Sequence, residues 1–503
     1  MTHTREVLAK VALTLALAAT VTACDELLEV ENPGSVTEDA TFLPAQASLI
    51  MNSAIADIEC AYSDFTAFEA AGYDDTTTRT VGWWGGRFEM PPTPGTGGGC
   101  AGSQENSSGT WFKPLHKGRW MGEQLYARLA NEWDASQVAD REQLMGMAAI
   151  YVGITYATFG EFFCEVTADA GPLMAWNQSL ALAEQWFTDA LGHIQTAGDF
   201  PIAGGITTSA QQMATLLRAR VRFAQNTPAK DAEAVADAQL ITQGFASYVT
   251  REAGAERTRI NRVYSGHVGL GWVALLGPID WWTGTSSTNP LTGAPWPAVI
   301  PFTGYWELGV DAEGRAVDNN GNALTLATAG TVADPRVPSE NIVASGIGGG
   351  PNNYPRWEQR KYTTQDDDFA LAKWDEARLI EAQVAGGQTA IDLVNELRVA
   401  HSLPEITGAY LTHLTDGAND AQDVQIMLLE EIRRTFFLEG GRWWSHKLRY
   451  NLWFPRTEGA DQWNFTYQGG VRMVYPNGEF TENPNLVEDD QASLCPTGQV
   501  PIV

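Results

Sequence analysis

The feature that most constrains the fold is a series of helix-forming segments joined by short linkers. Apolar residues recur at helical spacing over residues 179–197, 209–226 and 229–245. Small and large apolar residues alternate along these segments, as Ala183 does with Trp186 and Ala219 with Phe223. An apolar stripe on a short helix must be buried against a neighbour, so consecutive segments of this kind predict helices that stack in pairs.

The alternation of small and large positions resembles the helix pairs of tetratricopeptide repeats, in degenerate form. Further helical segments are predicted at residues 38–59, 117–164, 368–385, 388–401 and 421–439. Between residues 251 and 360 the helical spacing disappears, and Gly, Pro, Asn and Thr dominate among scattered aromatic residues. We therefore predict a mainly α fold, in which tetratricopeptide-like helix pairs carry a long loop-rich insert containing short strands.

The first residues of the chain predict export and lipid attachment. Arg5 and Lys10 precede an apolar stretch over residues 11–21, shorter than the roughly 20 residues of a membrane-spanning helix and typical of a secretory signal. Small residues then lead to Cys24 in a pattern that resembles a bacterial lipobox. We expect residues 1–23 to be removed and Cys24 to carry the lipid. An ordinary cleaved signal with a chance cysteine is the alternative.

The negative charge of the chain limits the classes of ligand. The chain has 32 Lys and Arg against 61 Asp and Glu, which gives a net charge of −29. Such a field repels nucleic acids and anionic head groups, and no basic patch interrupts it. We therefore expect no nucleic-acid partner, while a simple contribution to solubility accounts for much of the acidity.

Four further cysteines are candidates for disulfides in an exported protein. They are Cys60, Cys100, Cys164 and Cys495, and none has the CxxC spacing of a zinc or thioredoxin-type site. Four cysteines allow three complete pairings, so the sequence leaves the pairing open. For Cys164, which follows an apolar helical run, a buried free thiol is the alternative.

Patterns for catalysis or metal binding are weak. No two histidines have HxxxH or HxxH spacing, and neither a GxSxG elbow nor a GxxxxGKS/T phosphate loop occurs. Asp366, Asp367 and Asp368 have the ligand chemistry of a calcium site, but a solvated loop with Asp368 capping the next helix is favoured. The sequence therefore predicts no catalytic residue, no metal and no cofactor.

Two charged motifs have structural interpretations. Glu430 and Arg434 are spaced to pair along one helix, which we predict to end at Gly440-Gly441. Residues 334–336, Asp-Pro-Arg, are predicted to form a turn held by a charged pair rather than a catalytic element.

Aromatic residues in Gly- and Pro-rich surroundings carry the binding hypothesis, since the chain has 18 tryptophans and not all fit a core. Sugars present C–H patches that stack on Trp rings, while polar side chains bind their hydroxyls. Two candidate clusters combine these features: Asp74, Asp75, Arg79, Trp83 and Trp84 in the first, and Asp280, Trp281, Trp282, Trp296 and Trp306 in the second. We predict that at least one of these rings is a ligand platform. For any single ring, packing onto the scaffold or contact with a partner is the alternative.

Several separated segments resemble the SusD/RagB family of lipoproteins in their order and spacing. They are residues 24–42 with the LEVENP start, residues 334–336 with the family's DPR, residues 373–383 (KWDEARLIEAQ), residues 390–403 (AIDLVNELRVAHSL), residues 428–449 (LLEEIRRTFFLEGGRWWSHKLR) and residues 483–486 (NPNL). Apart from residues 334–336, the stretch 72–360 has no specific match, so the resemblance says little about the ligand.

The resemblance implies a lipid-anchored protein of the outer membrane that faces the cell exterior. It implies a SusC-like TonB-dependent β-barrel partner, over which the protein sits as a lid and to which it passes a nutrient. It also implies one SusD/RagB-like domain over residues 24–503, with a helical scaffold at about 36–250 and 366–450 and a ligand-facing insert at about 251–365.

The sequence thus predicts a non-enzymatic, surface-exposed binding lipoprotein whose ligand is an oligosaccharide, with a peptide left open. A surface glycosidase that uses paired carboxylates, with Asp280 and Glu307 as candidates, is one alternative. A structural lid of the transporter without a ligand of its own is the other.

Overall fold

Helices predominate in the computed structural model of this chain. The structure describes residues 41–68, 111–202, 206–253, 259–264, 335–336, 338–341, 357–403, 405–406, 421–449, 459–460, 466–467, 472 and 483–486. The chain divides into two units, Met1–Ala47 and Ser48–Val503. All side-chain contacts discussed below lie within the second unit.

The helices account for most of the described residues. After a short 3₁₀ turn at Pro44–Gln46, they are α1 (Ala47–Phe68), α2 (Phe112–Asn131), α3 (Arg141–Phe162), α4 (Trp176–Ala197), α5 (Ala210–Ala224), α6 (Pro228–Ala238), α7 (Trp374–Ala385), α8 (Gly387–Ala400), α9 (Ala421–Thr435) and α10 (Arg442–Arg449).

Local side-chain caps mark the starts of α5 and α6. The Ser209 hydroxyl accepts a hydrogen bond of 3.0 Å from the backbone N–H of Gln212. The Thr227 hydroxyl accepts one of 3.3 Å from the backbone N–H of Lys230, and Pro228 occupies the first turn of α6. Both starts are encoded locally, because the cap satisfies an N–H that the helix leaves unpaired and proline needs no such partner.

Neighbouring helices in the chain are also neighbours in space. From α2 to α8 each helix packs on the next, α9 packs on α7 and α8, and α10 packs on α5 and α9. The predicted mainly α fold with stacked helices is therefore confirmed.

Glycines on α3 allow α4 to approach closely. Gly146, Gly153 and Gly160 recur every seven residues and face α4. A Cβ atom at Gly153 would lie 2.6 Å from the Phe187 ring, and one at Gly160 would lie 2.6 Å from Leu180. The small positions of the sequence pattern therefore serve as contact points between helices.

The strands are short and pair locally, except for one pair. They are β1 (Glu165–Val166), β2 (Met174–Ala175), β3 (Ala246–Val249), β4 (Ser339–Asn341), β5 (Trp357–Gln359), β6 (Phe369–Lys373), β7 (Gly459–Ala460) and β8 (Thr466–Tyr467). The antiparallel pair of β3 and β6 joins distant parts of the chain, with a register irregularity between Ser247 and Tyr248. The pair places the start of α7, which follows β6, beside the part of the chain that follows α6.

Two of the predicted helices differ from the structure. One is interrupted in its middle, and the other begins with a strand. The segment predicted at 117–164 is two helices, α2 and α3. Between them, the Asp134 carboxylate accepts a hydrogen bond of 2.8 Å from the Ser136 backbone N–H, which stabilises a turn. The segment predicted at 368–385 begins with β6, and Asp368 accepts 2.6 Å from the backbone N–H of Arg251 instead of capping a helix.

The predicted end of the helix over residues 421–439 is also wrong. Helix α9 ends at Thr435, and Gly440 and Gly441 lie in the turn before α10 with φ of 57° and 65°. These positive φ angles favour glycine, so the glycines reverse the chain between two helices rather than ending the first one.

Two of the cysteines are described by the structure. Cys60 is buried in α1, Cys164 follows α3, and both are disulfide-bonded. The alternative of a free thiol at Cys164 is therefore wrong, while the pairing of the cysteines stays open. Within the described ranges, no helix is both long and apolar enough to cross a bilayer.

Substitution of the helix-contact glycines tests this packing. We expect Gly153→Ala to destabilise the protein by about 1–3 kcal/mol, because the new methyl group overlaps the buried Phe187 ring. Gly192→Ala on α4 is the matched control, since nothing lies within 4 Å of its Cβ position. The control should stabilise the helix by about 0.5–1 kcal/mol. Denaturant unfolding of both variants checks this, and equal stabilisation by both would contradict the packing.

Candidate functional site

The predicted ligand-binding residues lie outside the described residues. This holds for Asp74, Asp75, Arg79, Trp83 and Trp84 of the first cluster, for Asp280, Trp281, Trp282, Trp296 and Trp306 of the second, and for Cys24. Their roles stay predictions. What the structure describes is the scaffold from which the two segments that carry them, residues 69–110 and 265–334, depart and to which they return.

Both segments leave the scaffold near the C-terminal end of α1. Helix α1 ends at Phe68, directly before the first segment. Arg262, just before the second segment, lies with its Nε 2.9 Å from the Asp64 carboxylate of α1, and both side chains are buried. The described residues that precede the two segments therefore lie in one region of the framework, although they are far apart in sequence.

The return points of the two segments are also anchored. Trp111, directly after the first segment, packs its buried ring against that of Phe65 with centroids 4.9 Å apart. After the second segment, Arg336 donates to the Glu431 carboxylate at 2.7 Å and to the Thr435 hydroxyl at 3.0 Å. Residues 335 and 336 lie in a turn, and Arg336 pairs with a carboxylate of α9; Asp334 lies outside the described residues, so a charged pair that holds the turn itself stays a prediction.

Glu431 is the central acceptor of this anchor. Its other oxygen accepts a hydrogen bond of 2.6 Å from Arg398 of α8, and all three charged groups are buried. The sequence interpretation placed the pairing one residue earlier, at Glu430, whose side chain lies outside the described residues. A carboxylate held by two guanidinium groups is neutralised, so this block is structural rather than acid–base machinery.

A second buried network joins four helices at the centre of the scaffold. Arg220 of α5 makes two hydrogen bonds to the Glu376 carboxylate of α7, at 2.7 and 2.6 Å. Arg442 of α10 donates to Glu161 of α3 at 2.9 Å and lies 3.9 Å from Glu376. Two guanidinium groups and two carboxylates thus balance their charges in the interior.

This network borders a small cavity. The cavity has a volume of about 20 Å³, and its lining includes Tyr62, Glu161, Arg220 and Arg442 among apolar side chains. One water molecule fits this volume, whereas a sugar ring does not. Burial raises the pKa of the Tyr62 hydroxyl above its ordinary range. This hydroxyl therefore stays protonated and donates a hydrogen bond of 3.1 Å to the Ala370 carbonyl.

The carboxylates of the acidic run at residues 366–368 accept hydrogen bonds from backbone N–H groups. Asp367 accepts 2.8 Å from the Thr364 N–H, Asp368 accepts from Arg251, and Asp366 accepts from the Ala253 N–H. Across the described ranges, no group of three or more His, Cys, Asp and Glu side chains is placed to hold a metal ion. The run therefore orders a loop before β6.

The sequence interpretation missed Arg220, Glu376, Glu161 and Arg442 as partners. A signal was present, because Glu161 interrupts an apolar run and Arg220 stands between Ala219 and Val221 on an apolar face. Charges are almost never fully buried unless they are paired. Such positions predict buried pairs, but the spacing does not say which residues pair.

Comparisons with known proteins place the fold. No family profile matches the chain, and no curated protein matches it. Solved structures do match: a SusD superfamily protein from Bacteroides vulgatus has a TM-score of 0.52 at 13% identity, and covers 88% of this chain and 98% of its own. A chitin-binding protein has a TM-score of 0.53 at 14% identity, over 89% and 96%.

A third structure is the surface glycan-binding protein A from Bacteroides thetaiotaomicron in complex with laminarihexaose. Its TM-score is 0.50 at 12% identity, and the match covers 88% of this chain and 98% of that chain. At these identities the likeness establishes the fold. The chain has the SusD fold, and the resemblance to SusD/RagB proteins found in the sequence is confirmed at that level.

His446 lies in the core of this fold as a neutral imidazole. Its ring stacks on Phe436 with centroids 5.1 Å apart, and its Nδ1 lies 2.9 Å from the Gln383 amide nitrogen, which donates to it. Burial lowers the pKa of His446 well below its ordinary value, and the nearby cations lower it further: Arg442, Arg220 and Arg449.

This lowered pKa predicts a pH dependence of stability. Below about pH 6.5 an unfolded histidine binds a proton that folded His446 does not bind, so the unfolding free energy falls as the pH drops. We expect His446→Gln, whose amide oxygen replaces the acceptor, to remove up to about 1.4 kcal/mol of this loss per pH unit. Urea unfolding between about pH 4.5 and 6.5 checks this.

His401→Gln is the matched control. His401 is 30% exposed and its Nε2 lies 2.9 Å from the Asp375 carboxylate, whereas the ring of His446 is buried among cations. Its loss should not reduce the pH slope. Identical slopes for wild type and His446→Gln would contradict the assignment of a neutral buried imidazole.

Proposed function

We propose that this protein belongs to the SusD/RagB family and captures a nutrient at the cell surface. An oligosaccharide is the favoured ligand. In this proposal Cys24 carries the lipid that anchors the chain in the outer membrane, facing outward. A SusC-like TonB-dependent β-barrel receives the ligand. Binding and hand-over involve no covalent chemistry.

The observation that carries the proposal is the shared fold over nearly the whole length of a glycan-binding structure. Surface glycan-binding protein A binds laminarihexaose, and 98% of that chain is covered by the match. The chitin-binding protein with the same fold extends this to a second glycan. The unmatched stretch of the present sequence, 72–360, contains both aromatic clusters, which supports a ligand of its own.

The scaffold geometry also supports binding rather than catalysis. Glu161, Glu376 and Glu431, three of the buried carboxylates, are each held by guanidinium groups and are not poised for proton transfer. The glycosidase alternative needs Asp280 and Glu307. It predicts turnover of a polysaccharide that a single substitution of either residue abolishes.

The two aromatic clusters can be tested against each other. The chain offers two adjacent Trp pairs, Trp83-Trp84 and Trp281-Trp282, so each double Ala variant is the control for the other. We expect at least one pair to weaken binding of laminarihexaose or of a chitin oligosaccharide about tenfold or more, since an indole–sugar stack contributes on the scale of about 1–3 kcal/mol.

Calorimetry on the soluble chain lacking residues 1–24 measures this binding. Unchanged affinity in both double variants would remove both clusters as platforms. Co-purification with a β-barrel, combined with no binding across a broad glycan and peptide panel, would favour the ligand-free structural lid instead.

A further inference from the structure

Five aromatic and polar side chains meet on the surface of α2, α3 and α4, outside the two loop segments. Tyr126 lies on α2, Glu142 on α3, and Trp186, Asp189 and His193 on α4. The three residues of α4 follow the spacing i, i+3 and i+7, so they share one helix face. Every one of them is partly exposed. The pairs described above as holding the scaffold together do not involve any of them.

The tyrosine hydroxyl in this group is oriented by a histidine. His193 Nδ1 lies 2.7 Å from the Glu142 carboxylate, and His193 Nε2 lies 2.9 Å from the Tyr126 hydroxyl. Because a carboxylate only accepts, Nδ1 carries a proton and donates it to Glu142. The tyrosine hydroxyl either donates to Nε2 or accepts from it, and in both cases the Tyr126 oxygen keeps at least one lone pair that can accept a hydrogen bond from outside.

Two aromatic rings form a corner beside this hydroxyl. The Tyr126 and Trp186 rings have centroids 5.0 Å apart and an interplanar angle of 83°. The faces of Trp and Tyr rings carry partial negative charge and attract cations. Perpendicular rings can direct two such faces toward one small group.

Asp189 adds a negative charge that acts electrostatically on Tyr126 and His193. Its carboxylate makes no hydrogen bond or ion pair with any residue of the described chain, and burial raises its pKa, which the nearby His193 partly offsets. Glu184 on the same helix differs, because Arg222, Gln225 and Lys230 all donate to it. A half-buried carboxylate without a protein partner, beside aromatic faces, matches the chemistry of a cationic ligand.

We propose that Tyr126, Trp186 and Asp189 form a binding site for an organic ammonium group, such as that of an amino sugar or a lysine side chain. The ammonium donates to the Asp189 carboxylate and the Tyr126 oxygen, and its charge lies against the ring faces. A neutral sugar would supply hydroxyl donors but would leave the charge of Asp189 uncompensated. The site uses none of the residues of the two loop clusters.

Calorimetric titration of the soluble chain lacking residues 1–24 tests the site. The probes are a glucosamine oligosaccharide, the N-acetylated oligosaccharide of equal length, and Nα-acetyl-lysine methylamide. Saturable binding of the amino sugar, the lysine derivative or both is expected, and the difference between them identifies the source of the ammonium group. Any binding of the acetylated sugar should be insensitive to Asp189→Asn.

The variants separate a site from a general attraction to an acidic surface. Asp189→Asn and Trp186→Leu should each weaken ammonium binding about tenfold or more. The matched control is Asp392→Asn, an exposed carboxylate on α8 whose oxygen accepts from Gln388. It should leave the affinity unchanged.

Failure of this proposal is distinguishable from failure of the proposed function. The Trp83→Ala/Trp84→Ala variant should keep its affinity for Nα-acetyl-lysine methylamide, which has no sugar ring to stack on the Trp pair. Absence of saturable binding of both amines, or equal affinity in wild type and Asp189→Asn, would overturn the proposal, whatever the glycan titrations show.

Discussion

The buried pairing of arginine with glutamate is the interaction on which the helical framework depends. Arg220 and Glu376 are separated by 156 positions in the chain, and Glu161 and Arg442 by 281. Each pair closes a long-range contact that helix stacking alone does not specify. A buried charge left without its partner is strongly destabilising, so these pairs make the alternative registers of the helices costly.

This use of charge shapes what the framework can do. Glu161, Glu376 and Glu431 are held by guanidinium groups, and the cavity lined by Glu161 has room for one water. In the described part of the chain, these buried pairs therefore hold the helices together, and the cavity beside them is too small for a sugar ring. Asp64 with Arg262, and Glu431 with Arg336, hold the scaffold where the two candidate segments leave it and return. The division between a fixed framework and variable loops is the arrangement that binding proteins commonly use.

Much of this fold could be predicted from sequence, because its signals are local. Ser209 and Thr227 cap their helices, and glycines at seven-residue spacing mark where α4 approaches α3. Strand β6 could not be predicted, because residues 369–373 adopt it through pairing with β3, more than a hundred residues away. The end of α9 was also ambiguous in the sequence, since Gly440-Gly441 permits both a helix end and a reversal between two helices. For the candidate site, the sequence indicates residue chemistry, but spacing alone does not reveal that Asp64 and Arg262 pair and so bring together the described residues that precede the two segments.

A double-mutant cycle on Arg220 and Glu376 tests the central claim most directly. The unfolding free energies of Arg220→Met, Glu376→Leu and the double variant would be measured by denaturant titration at neutral pH. The account predicts that each single change costs about 3–5 kcal/mol and that the double variant costs less than their sum by about 0.5–3 kcal/mol. Additive costs with no coupling would contradict it.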